Sequence, residues 1–127
     1  MELNLHGRAY AITSLAQLQQ LLLQARALSQ CELWLTLDGD AGEKPALCML
    51  RNGANAWLMY VSPDDDASYH SIGDEEQEGE CSYLLANGQC DLYPEAWCVE
   101  LALCEQAMVQ FYRHAGAHPA AVAWQAD

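Results

Sequence analysis

The sequence predicts an α+β fold: an antiparallel β-sheet built from hairpins, with two α-helices packed on it. Three observations carry this. Two stretches, near residues 14–28 and 100–114, repeat apolar residues at helical spacing. Between them lie short apolar runs, two of them followed by Asn-Gly dipeptides, the turn signal of β-hairpins. No crossover helix fits between those runs, so adjacent strands must be antiparallel. The chain has 127 residues and 14.0 kDa, and no repeat or Pro- or Ser-rich linker divides it. It is expected to form a single domain over residues 1–127, long enough to bury one core.

The elements follow in order. Leu3 to Tyr10 reads as a short edge strand. Ser14 with Gln17 fits the S-x-x-Q capping box that opens a helix running to about Leu28. Leu15, Leu18, Leu22 and Ala25 share one face of that helix, and Gln17, Gln20 and Gln24 lie largely elsewhere. Glu32–Leu37 alternates, with Leu33, Leu35 and Leu37 on one face of a strand. Asp38–Pro45 holds two glycines and a proline and reads as a loop. Ala46–Leu50 and Ala56–Val61 form a hairpin about Asn52-Gly53, and Ser82–Leu85 and Cys90–Leu92 another about Asn87-Gly88. The second helix, Glu100–His114, carries the stripe Leu101, Cys104, Met108 and Phe111, with Gly116 placed to stop it and Pro119 beyond. Val122 and Trp124 suggest a last strand. Trp34, Trp57, Trp97 and Trp124 lie on or beside strands and are expected mostly in the core, with Trp124 buried against the second helix.

Charge is the strongest global signal. Five Lys and Arg stand against 18 Asp and Glu, a net charge of −13. Such a chain repels phosphate backbones, which argues against nucleic acid as a partner, and attracts a basic protein surface. From Asn52 to Tyr112 there is no Lys or Arg, yet this window holds 12 of the 18 acids. Eight fall in Asp64–Glu80: Asp64, Asp65, Asp66, Asp74, Glu75, Glu76, Glu78 and Glu80. The segment reads as a long loop, too polar for core, with Tyr69, His70 and Ile72 in its middle. It is either a solvated loop or a partner surface with Tyr69 as aromatic anchor. Its pattern does not match a calcium loop, so no metal is expected.

Six cysteines are present, none with C-x-x-C spacing. The N-terminus shows no basic stretch followed by an apolar run, and no apolar run is long enough to span a bilayer. The expectation is a cytoplasmic protein with reduced, mostly buried thiols and no membrane association.

Catalytic signals are sparse. His114 and His118 stand four apart, but Gly116 between them breaks the helix a metal pair would need. His6 has no obvious partner. His70 lies among carboxylates that would favour its charged form, without a nucleophile motif beside it. Gly-x-Ser-x-Gly, His-Glu-x-x-His and phosphate-loop patterns are absent, and neither enzyme activity nor a cofactor is expected.

The stretch from Tyr83 to Pro94 leads into a helix carrying Phe111, and the chain closes on Gly116-Ala-His-Pro119-Ala-Ala-Val122-Ala-Trp124. This G-x-x-P-x-x-[IV]-x-W ending, with Trp57 and the Asn87-Gly88 turn before it, resembles the Imm1 family of bacterial immunity proteins. The resemblance covers about Ala46 to Trp124, and its residues read as scaffold: Gly116 a helix stop, Pro119 a rigid turn, Trp124 an anchor. It implies a cytoplasmic role in polymorphic toxin systems, neutralising a cognate toxin domain by binding it about one-to-one. Family members are associated with varied toxins, including nucleases and nucleotide- or base-modifying enzymes. A basic toxin cleft would suit the acidic residues Asp64, Asp65, Asp66, Tyr69, Asp74, Glu75, Glu76 and Glu78 as the binding set. Two other classes stand beside it: an enzyme reversing the toxin's modification, and an acidic adaptor or nucleic-acid mimic unrelated to toxins.

Overall fold

The computed structural model describes residues 1–37, 45–63 and 67–127. Among them the chain runs β1 (Glu2–Leu5), β2 (Arg8–Ala11), α1 (Leu15–Arg26), β3 (Gln30–Thr36), β4 (Ala46–Asn52), β5 (Asn55–Ser62) and β6 (Ala67–Ile72). It continues through β7 (Glu80–Leu84), β8 (Cys90–Pro94), a 3-10 turn (Glu95–Trp97), β9 (Val99–Glu100), α2 (Leu101–Arg113) and β10 (Ala123–Ala126). The main sheet has the order β10-β6-β5-β4-β3-β1-β2, with β9 paired to β5, and every pairing is antiparallel. β7 and β8 form a separate two-stranded sheet. The α+β expectation is therefore met, as are both helices and both Asn-Gly hairpins.

Side-chain alternation divides the main sheet into two faces. Leu33, Leu35, Leu47, Met49, Leu58 and Tyr60 point one way and pack against Leu18, Leu22, Ala25, Cys104, Met108 and Phe111 of the two helices. Cys48, Leu50 and Trp57 point the other way and pack against Tyr83. The protein is thus three-layered: helices, main sheet, then the β7–β8 hairpin on the back.

The helix ends show how local chemistry sets these elements. Ser14 Oγ accepts from Gln17 N–H (3.2 Å), as the capping box requires. The reciprocal bond is displaced: Gln17 Oε1 accepts from Thr13 N–H (2.6 Å) and Thr13 Oγ1 (2.9 Å). Beyond α2, Ala115 (φ 50°) and Gly116 (φ 88°) turn left-handed, and Gly116 N–H returns to Phe111 O (2.8 Å). The other end of α1 has a partner the sequence does not announce. Arg51 of β4 is buried and donates to Ala25 O (2.6 Å), Leu28 O (2.7 Å) and Arg26 O (3.3 Å) at the end of the helix, where carbonyls run out of helical N–H partners, and Ala25 O also accepts from Leu28 N–H (3.1 Å).

Several expectations need correction. Leu3 to Tyr10 is a hairpin rather than one strand. His6 (φ 49°) and Gly7 (φ 95°) form its two-residue turn, and both positive values match a type I′ turn. His6 also has a partner, its Nδ1 accepting from Glu32 N–H (3.2 Å). In the β4–β5 hairpin Asn52 pairs with Asn55, so the turn centres on Gly53-Ala54, one residue later than Asn52-Gly53 implies. The acidic segment is not one long loop, because β6 occupies its middle. Of the tryptophans only Trp57 is fully buried. Trp34, Trp97 and Trp124 are half-buried, and Trp124 lies against Tyr60 and His118, its Nε1 donating to Pro119 O (2.7 Å). The cysteines are free, in line with the expectation, but only three of the six are fully buried: Cys31, Cys48 and Cys104 are buried, Cys81 and Cys98 are half-buried, and Cys90 is exposed. The expected loop over Asp38–Pro45 lies, apart from Pro45, outside the described residues.

Candidate partner-binding surface

The acids that follow β6 are held by a tightly bonded crossing from the sheet to the back layer. Ser71 Oγ donates to Trp97 O (2.8 Å) and accepts from Leu58 N–H (3.0 Å) where the β5–β6 ladder ends. Gly73 N–H donates to Ala96 O (2.7 Å). Asp74 then closes a local turn: its Oδ1 accepts from Glu76 N–H (3.0 Å) and its carbonyl from Gln77 N–H (3.0 Å). That turn fixes the direction in which Glu75, Glu76 and Glu78 leave the surface, and all of them are exposed. Glu95 N–H binds Gly79 O (3.0 Å), which fastens the far end of the segment to the 3-10 turn.

A cleft of about 500 Å³ opens beside this turn. Asp74, Glu95 and Glu100 line it together with Gln77, and Val99 and Leu103 supply apolar wall. Three carboxylates around a half-apolar cleft can receive a Lys or Arg side chain, accepting its N–H bonds while its aliphatic stem rests on the wall. Cys98 also lines the cleft, but its thiol is held protonated. Burial pushes it up to about 11, and nearby Cys81 and Glu95 act the same way. Tyr83 donates to its Sγ (2.9 Å). A thiol so placed is a poor nucleophile at neutral pH.

The structure brings Asp74, Glu75, Glu76 and Glu78 together and leaves Tyr69 apart from them. Strand alternation in β6 turns Tyr69 to the helix side, half-buried against Tyr60 (6.5 Å between rings) and His118 (4.9 Å). It packs on those two rings, on the side of the sheet away from the Trp57 and Tyr83 cluster. Asp64, Asp65 and Asp66 lie outside the described residues. Glu95 and Glu100 line the same cleft, and the sequence reading did not single them out. They are separated from Asp74 by a hairpin, and no local pattern links them. His70 is buried in β6 rather than sitting in a loop. It stacks on Trp97 (3.8 Å), with Nδ1 2.9 Å from Ser71 O and Nε2 3.7 Å from Asp127 Oδ1.

Charge is segregated across the sheet. Arg26 and Arg113 stand on the helices, Arg26 paired with Glu105. Arg51 is in register with Cys31 and Ala56, and Arg8 with Leu5, so both point to the helix side. Every arginine among the described residues is therefore on one side, and the charged side chains that the described residues carry on the back layer are acids. No described helix is long and apolar enough to cross a membrane.

A family model described as "Immunity protein Imm1" matches residues 6–126, reaching well into the N-terminal half. No curated protein matches the chain.

Proposed function

Because the chain belongs to the Imm1 family of immunity proteins, we propose that it protects its producer's cytoplasm by binding a cognate toxin domain through the acidic back layer, without catalysis. The carrying observation is the convergence of Asp74, Glu95 and Glu100 on one cleft beside exposed Glu75, Glu76 and Glu78. A basic toxin surface, of the kind that handles nucleic acid or nucleotides, is the complementary partner. Its capture is steered by the net charge of −13 and fixed by pairs formed in the cleft. The same charge disfavours nucleic acid itself as the bound partner.

The test is affinity for the toxin domain encoded by the adjacent gene, at two salt concentrations. The variant Glu75→Gln/Glu76→Gln/Glu78→Gln removes exposed charge and spares the Asp74 turn. It is expected to lower the association rate and flatten its salt dependence. Glu95→Gln should instead raise the dissociation rate, because a buried cation loses its partner. Unchanged affinity and salt slope in both rejects the surface. Protection of the toxin's target at far below one-to-one would reject the non-catalytic reading.

A further inference from the structure

The β7–β8 hairpin covers only part of the back face. It is pinned at one end of the strands: Asn52 Nδ2 donates to Ser82 O (2.8 Å), Gln30 Oε1 accepts from Leu84 N–H (2.9 Å), and Glu32 Oε1 accepts from Ala86 N–H (3.0 Å). β8 runs along the open side of this cover, and Tyr93 lies flat on Trp57 (4.2 Å, 12°). Past β8 the back face continues as two cross-strand rows, Trp34–Cys48–Met59 and Thr36–Ala46–Val61. Trp34, Met59 and Val61 are only half-buried there. This ground lies toward the Met59–Val61 end of β5, whereas the acidic cleft lies at its Asn55 end.

Its rim is acidic. Asp91 accepts from Tyr93 Oη (3.2 Å) on β8. Asp127 stands across it, 3.7 Å from His70 and 2.8 Å from Ser68 Oγ. Asp91 and Asp127 both act on the Tyr93 hydroxyl, which burial and these charges push up to about 12. Glu2 is in register with Thr36 on β3. Glu32 accepts from Trp34 Nε1 (2.9 Å), which fixes the indole plane. No arginine among the described residues points to this face.

We propose that this part of the back face, half-buried at Trp34, Met59 and Val61, is a second docking surface, on which an arginine-bearing segment of the toxin domain lies against Trp34 and Tyr93 and pairs with Asp91. The proposal rests on the immunity reading above and adds a site apart from the acidic cleft. Arginine fits better than lysine. Its flat guanidinium stacks on aromatic rings while its N–H groups still reach a carboxylate, and it is more easily stripped of water than an ammonium. The apolar row of Met59 and Val61 supplies the desolvated floor that makes such a pair strong, the usual setting of an interface hot spot.

The experiment compares four proteins against the adjacent-gene toxin domain: wild type, Asp91→Asn, Trp34→Leu and Trp34→Phe, with melting curves to confirm folding. Asp91→Asn and Trp34→Leu are expected to weaken binding about tenfold or more, and Trp34→Phe, which keeps an aromatic face, by only a few-fold. Asp91 is partly exposed and not a core residue, so its variant decides the matter even if Trp34→Leu folds poorly. Wild-type binding with Asp91→Asn bound as tightly overturns this docking surface and leaves the immunity reading standing. Failure of the wild type itself to bind overturns the immunity reading, and this inference with it.

Discussion

Gly73 and Cys98 approach so closely that a β-carbon on Gly73 would overlap the Cys98 carbonyl oxygen and lie 3.1 Å from its carbonyl carbon. The obstacle is backbone, not the end of a side chain, so it cannot swing aside. This contact sets the acidic turn against the 3-10 turn and brings Asp74 near Glu95 and Glu100.

Gly73→Ala should therefore act on stability and on the cleft together. Forcing one carbon into a packed backbone crossing costs about 1–3 kcal/mol, sometimes more. Denaturant titration should show that loss, and toxin affinity should fall with it as the three carboxylates separate. A midpoint equal to wild type would mean the crossing is looser than this packing.

Arg51 is expected to matter more for stability than any exposed charge. It is 8% exposed, and its guanidinium satisfies carbonyls at the end of α1. Arg51→Met keeps the aliphatic stem but removes the guanidinium donors from Leu28 O and Arg26 O and leaves Ala25 O with the Leu28 N–H, at about 2–3 kcal/mol. Arg51→Lys should recover only part, since one ammonium cannot reproduce the planar fork. Urea unfolding distinguishes these outcomes. Equal stability of Arg51→Met and wild type would rule out the capping role.

Stability should fall on the alkaline side. Burial pushes Cys104 up to about 12 and Cys98 up to about 11, and raises Cys48 well above the ordinary thiol value of 9.0. A thiol with a folded value above its unfolded one keeps its proton in the fold after the unfolded chain has lost it. Its contribution is complete below the unfolded value and is lost as pH climbs through the folded one. Urea midpoints should hence decline from about pH 9 upward, where the unfolded thiols begin to ionise. A level or rising midpoint over that range would contradict the burial of these thiols.

The two helices and the sheet strands were legible because their signals are local. The spacing of Leu18, Leu22 and Ala25, the cap at Ser14, and the alternation of Leu33 and Leu35 each fix an element within a few residues. β6 was hidden because its flanks are dense in acid, and composition over a window conceals a six-residue strand whose two buried residues, His70 and Ser71, are both polar and read as loop. The N-terminal hairpin was missed because His6 adopts a left-handed turn that sequence rules assign to Gly, Asn or Asp. Trp124 was expected deeper than it lies because position near a strand does not say how much of the ring a neighbour covers.

By itself the sequence determined the class of fold, the resemblance to the Imm1 family carried by the ending Gly116–Trp124, and a net charge of −13. The tertiary structure alone decided which acids share a surface. Strand alternation sent Tyr69 to the helix side, and the Gly73 crossing gathered Asp74, Glu95 and Glu100 around one cleft. The sheet also put every described arginine on the face opposite the exposed acids. The reason is that net charge and local periodicity are properties of short stretches of chain. Which charges share a surface depends on pairings between residues tens of positions apart, and these exist only once the sheet has closed its register.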